Sequence, residues 1–92
     1  MSNIENVIMA QYQILYWQDI PSQIKTWDDF DEIKAELPQR FSARIDAAAE
    51  ARGLTKADDY LSQWKWTDAQ EQPGTPEEVA AAIRQELETK WP

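Results

Sequence analysis

The sequence predicts an α+β domain: a three-stranded, mainly antiparallel sheet with two helices on one face, in the order ββαβα. Three observations lead there. Residues 11–18 (QYQILYWQ) are dense in β-forming side chains, apolar on both faces of a strand. Two amphipathic stretches, beginning near Pro38 and at Thr75, place their apolar residues at helical spacing. Between them Tyr60, Trp64 and Trp66 lie at even spacing around Leu61, Gln63 and Lys65, the alternation of a strand.

Residues 1–9 (MSNIENVIM) carry no such pattern and are expected to form a flexible N-terminal arm; residues 10–92 make up a single domain. In the first strand Tyr12, Ile14 and Tyr16 share one face and Leu15 and Trp17 the other, which suits a central position in the sheet. Asp19-Ile20-Pro21-Ser22 then breaks the run with turn-forming chemistry. Residues 23–27 (QIKTW) alternate again and complete a hairpin, with Ile24 alone on its apolar face, as in an edge strand. The acidic stretch 27–35 (WDDFDEIKA) reads as a loop or a short helical turn carrying Phe30 and Ile33 inward.

From Pro38 the pattern is helical. Leu37, Phe41, Ile45, Ala48 and Ala49 form one stripe, Pro38 suits the first turn, and Gly53 suits the C-terminal cap. Leu54 is then placed to fold back on that stripe. Thr55-Lys56-Ala57-Asp58 resembles a capping box opening one short turn. A third strand is expected over residues 61–69, followed by a loop over 68–74. Thr75-Pro76-Glu77-Glu78 is the sharpest local signal: an N-cap, a proline at the first helical position and a glutamate to close the box. Val79, Ile83, Leu87 and Trp91 follow at four-residue intervals. With the first strand central, the spatial order is 2-1-3. The third strand then runs antiparallel to the first and parallel to the second, which allows a right-handed crossover.

Composition limits function. Five tryptophans in 92 residues stand beside no histidine and no cysteine. Thiolate chemistry, imidazole bases and ordinary zinc sites are therefore unavailable. Gly53 and Gly74 are the only glycines and neither sits in a phosphate-cradling pattern. No pair of carboxylates is placed together in an apolar setting, so no catalytic residue, no cofactor and no enzyme activity is expected. The cluster Asp28, Asp29, Asp31 and Glu32 lacks the glycine and spacing of a calcium loop, so no metal site is expected. A net charge of −8 opposes nucleic-acid binding, and no apolar run approaches the ~18–20 residues of a membrane span. No basic region followed by an apolar stretch opens the sequence and it holds no cysteine, so a secretory signal is not expected and the expected compartment is the cytoplasm.

Particular strings carry a resemblance. Tyr16-Trp17-Gln18-Asp19-Ile20-Pro21-Ser22-Gln23, then Leu37-Pro38-Gln39-Arg40-Phe41 with Ile45-Asp46-Ala47-Ala48, then Asp59-Tyr60-Leu61 with Trp64, resemble a small bacterial domain family labelled "virulence factor". Its segments are YW-x-DIP-x-Q and LP-x-RF…ID-x-AA. Gln18 departs from it, standing where a basic residue is expected. The label describes a phenotype, so the resemblance implies a bacterial cytoplasmic accessory domain and transfers no catalytic residue.

The residues most suited to binding a partner are Tyr16, Trp17, Asp19 and Gln23 at the hairpin end, with Trp64 and Trp66 on the adjoining strand. Aromatics of this kind anchor protein interfaces, and they equally often pack under a helix. The expected function is a non-catalytic accessory module, favoured as a monomer, that binds another protein. A small-molecule binder with an aromatic cleft is the alternative.

Overall fold

The computed structural model describes residues 8–92. Among them the elements run β1 (Met9–Trp17), β2 (Ile20–Trp27), β3 (Glu32–Glu36), α1 (Gln39–Ala51), α2 (Ala57–Leu61), β4 (Trp64–Trp66), β5 (Gln70–Pro73) and α3 (Pro76–Lys90). The α+β class and the antiparallel sheet are as expected, but the sheet has five strands rather than three. Its order is β3-β2-β1-β4, with β5 pairing β1 beyond β4. The expected 2-1-3 arrangement survives inside it, because β1 lies between β2 and β4. The expected arm falls largely on residues 1–7, outside the described residues; Met9 already belongs to β1.

The two additional strands come from segments read as loops. Glu32-Ile33-Lys34-Ala35-Glu36 alternates polar and apolar and pairs with β2 from Trp27↔Glu32 to Gln23↔Glu36. β2 is therefore interior rather than an edge, and Phe30 points outward from the turn instead of inward. On the other side of β1, residues 70–73 add a strand with Met9↔Pro73 and Tyr12↔Gln70. The residues between β4 and β5 bulge, and Thr67 repairs the ladder. Its Oγ1 accepts from the Ile14 amide at 2.9 Å, and its own amide donates to the Ile14 carbonyl at 2.9 Å. The expected strand over 61–69 is accordingly shorter: Tyr60 and Leu61 end α2, and only Trp64–Trp66 pairs with β1.

The hairpin turn is also tighter than the sequence suggests. Gln18 takes φ +54 and, with Asp19, closes a two-residue connection, so Ile20 and Pro21 belong to β2. Pro21 is tolerated because it sits at an irregularity: Leu15 faces Gln23 and Tyr16 faces Pro21, leaving Ser22 as the extra residue. The Ser22 carbonyl then accepts from the Leu37 amide at 3.0 Å, which ties the end of β3 toward α1.

Both long helices cover one sheet face. Ala10, Ile14 and Ile24 meet Leu37, Phe41, Val79, Ile83 and Leu87 in the main core, with Tyr12, Tyr16, Ala35 and Trp91 packed at its margin. The helix ends follow the sequence. The Gly53 amide donates to the Glu50 carbonyl and the Leu54 amide to the Ala49 carbonyl, with Gly53 at φ +69, so α1 closes in a Schellman motif. Thr75 and Glu78 cap α3 reciprocally, at 3.2 Å and 2.9 Å. Thr55 does not cap α2: its N-cap is Lys56, with no side-chain cap bond.

Candidate functional site

At the hairpin end strict alternation ceases. Leu15 lies on the face the long helices leave uncovered, in a row with Gln23 and Glu36 on one side and Trp66 on the other. Trp17, two residues on, is instead packed with Ile20, Ile45 and Ala49, against α1. The register shift opposite Leu15 and Tyr16, with Ser22 of β2 as the extra residue, raises the local twist at this end of the hairpin.

Trp17 is 0% exposed and forms the centre of this second cluster. Its Nε1–H donates to the Tyr60 carbonyl at 2.9 Å. The Tyr60 ring lies 5.6 Å from it, tilted by 35°, and meets Trp64 edge-on at 6.0 Å. Leu54 and Ala48 close the same cluster. As a proposed partner-binding residue Trp17 is thus corrected: it has no surface to offer, and it acts by holding α2 and β4 against the hairpin. Tyr60, read as one of three aromatics on a strand face, stands on α2 instead.

The remaining candidates divide between several surfaces. Tyr16 is half-buried against the main core. Desolvation by burial, then the nearby Glu86 and Tyr12, raise its hydroxyl above the ordinary tyrosine value. Burial and then Asp46 do the same for Tyr60. Neither phenol is poised to ionise near neutrality, which removes both as bases. Asp19 is exposed at the hairpin tip and bridges to Arg52 at 3.1 Å. Arg52 also donates to the Gln18 side-chain carbonyl. A basic residue at position 18 would face Arg52, so the departure at Gln18 comes with its own local partner. Gln18 is tied further to Gln63, side chain to side chain at 3.0 Å and amide to carbonyl at 3.2 Å.

Gln23 and Trp66 are brought into one row, with Leu15 between them. Trp66 is 42% exposed. Leu61, at the end of α2, is exposed as well, and sequence reasoning missed it by placing it in a strand. The next rows on this sheet face are mainly polar: Lys34, Lys25 and Gln13, then Glu32, Trp27, Gln11 and Glu71, with Met9 and Pro73 beyond them. There Lys25 covers Trp27, its ammonium 5.5 Å from the ring centre. Trp91 is likewise occupied, packed against both core clusters with the Arg44 guanidinium 5.6 Å from its ring.

Two clefts accompany these surfaces. One of about 250 Å3 lies among Ser22, Gln23, Glu36, Leu37, Gln39, Phe41 and Ser42; another of about 260 Å3 lies beside the β2–β3 turn. Both fall below the ~300–1,000 Å3 usual for small-molecule sites, and no tryptophan or tyrosine lines either. Among the described residues no group of acidic side chains is gathered closely enough to hold a metal ion. No described helix is long and apolar enough to cross a membrane.

A family model described as "Virulence factor" matches residues 15–92. No curated protein and no solved structure matches the chain.

Proposed function

The chain belongs to the virulence factor family, and on that premise we propose that it is a non-catalytic accessory module of the bacterial cytoplasm that binds another protein. Its contact surface is the uncovered end of the sheet, where Trp66 and Leu15 form an apolar centre beside Gln23, with Leu61 on the adjoining α2. The observation that carries the reading is Trp66: a large ring more than a third exposed, on a strand whose other tryptophan is packed away. Leaving such a ring in water forgoes burial that the Trp64 ring obtains two residues away. Binding recovers it, and a central tryptophan anchor contributes about 2 kcal/mol or more. Asp19, held at the tip by Arg52, supplies a polar rim to the same end. The acidic net charge speeds encounter with a basic partner and discourages anionic ones.

The small-molecule alternative loses its main support, since the aromatics that were to line a cleft pack on one another.

Affinity capture from the native cell, with partners identified by mass, tests the proposal. Trp66→Ala is expected to keep the fold and to weaken retention of a specific partner by at least about 30-fold, the equivalent of ~2 kcal/mol. Retention of every partner at wild-type level by folded Trp66→Ala would reject this surface.

A further inference from the structure

The opposite end of β2 carries a second exposed aromatic, in a setting of its own. Phe30 is 91% exposed in the turn between β2 and β3. That turn is built, not loose. Asp28 Oδ1 accepts from the amides of Phe30 and Asp31, each at 2.8 Å, and the Asp28 amide donates to the Asp31 carbonyl at 3.0 Å. The ring is therefore presented on an ordered backbone, so a partner loses less entropy in fixing it.

Beside the turn lies the cleft of about 260 Å3, lined by Asp28, Asp31, Ile33, Thr75, Pro76 and Glu77. Its chemistry is two-part. Ile33 and Pro76 offer apolar wall, and Asp28, Asp31 and Glu77 offer carboxylates. The N-terminus of α3 adds roughly half a positive charge, which three carboxylates outweigh. A metal ion does not suit the arrangement, because the acids are not gathered into a coordinating group. A long cationic side chain does: its methylene stem lies on apolar wall while its head meets the acids.

The geometry points to a docking site for a basic segment of a partner protein, an arginine or lysine entering the acid-lined cleft while a neighbouring apolar side chain covers Phe30. A second copy of this chain does not fit the description, since each copy carries −8 and presents the same acidic turn. The site lies at the other end of β2 from Trp66 and stands independently of the surface proposed above.

Nuclear magnetic resonance of the isotope-labelled full chain tests it, with a short capped peptide in which two arginines flank two leucines. A second peptide with glutamines in place of the arginines is the control. The expected result is a set of shifts confined to residues 28–33 and 75–78, weakening as salt is raised and absent with the glutamine peptide. Phe30→Ala is expected to weaken binding at least tenfold without altering the rest of the spectrum, and Glu77→Gln to weaken it severalfold. Trp66→Ala is expected to leave it unchanged, which separates this site from the other. The proposal is overturned by no shifts, by shifts spread equally over acids outside the cleft such as Asp58, Asp59, Glu86 and Glu88, by equal response to the glutamine peptide, or by unchanged affinity in Phe30→Ala.

Discussion

Trp17→Ala lowers the free energy of unfolding by about 3–5 kcal/mol, measured by urea titration, a large part of the ~5–15 kcal/mol that holds a domain of this size together. The ring has no exposed surface and is the largest fully buried side chain. Its removal opens a cavity between Ile20, Ile45 and Ala49, and it frees the Tyr60 carbonyl from its indole partner. Since α2 buries no residue completely, it is held to the domain largely through Tyr60, and local loss of α2 and β4 is expected before global unfolding. Trp17→Phe separates the two effects: it keeps much of the ring volume and loses the N–H, so its cost is smaller. Trp66→Ala, from the same sheet end, stays within about 1 kcal/mol of the parent.

Phe41→Ala is the second large effect, again about 3–5 kcal/mol. Phe41 is 1% exposed and is the point at which α1 enters the main core with Ile14, Ile24, Ile83 and Leu87. Its loss undoes the meeting of the two long helices over β1 and β2. Thermal unfolding is the simplest check, because each kcal/mol shifts the Tm of a domain this size by ~4–8 °C. Phe41→Leu, which conserves more of the volume, is expected to cost under about 2 kcal/mol.

What the residues announced on their own was whatever local chemistry decides. The Thr75–Glu78 box and the Gly53–Leu54 closure are settled within a few residues of backbone and appear as read, while Pro38 stands at the N-cap of α1, one residue ahead of its first turn. The strip from Glu32 to Glu36 was harder, for its alternation is carried by only Ile33 and Ala35 among charges. A strand at a sheet edge needs little more, because the β2 backbone supplies the pairing. Residues 70–73 offered less still: Gln70, Glu71 and Gln72 have no apolar pattern, and they join the sheet because the free edge of β1 accepts them. Tyr60 was misplaced for a different reason. Its spacing to Trp64 is four, which serves a helix end as well as a strand, and the Trp17 indole settles which.

The same limit applied to the proposed binding surface. Sequence brought Trp17, Trp64 and Trp66 to one place correctly, but strand parity put Trp17 and Trp66 on a common face. What separates them is tertiary cover: Ile45 and Ala49 of α1 and Tyr60 of α2 pack on Trp17, while Trp66 stays 42% exposed, and strand parity carries no trace of that cover. A short helical turn over residues 27–35 would carry Phe30 inward, whereas Asp28 captures the local amides and the ring stands exposed.

The proposed contact surface depends on one division: Trp17 is sealed in the core and Trp66 stands exposed. Hydrogen exchange of the five indole N–H groups, resolved by nuclear magnetic resonance at neutral pH, tests that division directly. The Trp17 indole is expected to exchange most slowly of the five and only on opening of the domain, and the Trp66 indole near the rate of a free side chain. Equal, fast exchange at both positions would contradict it.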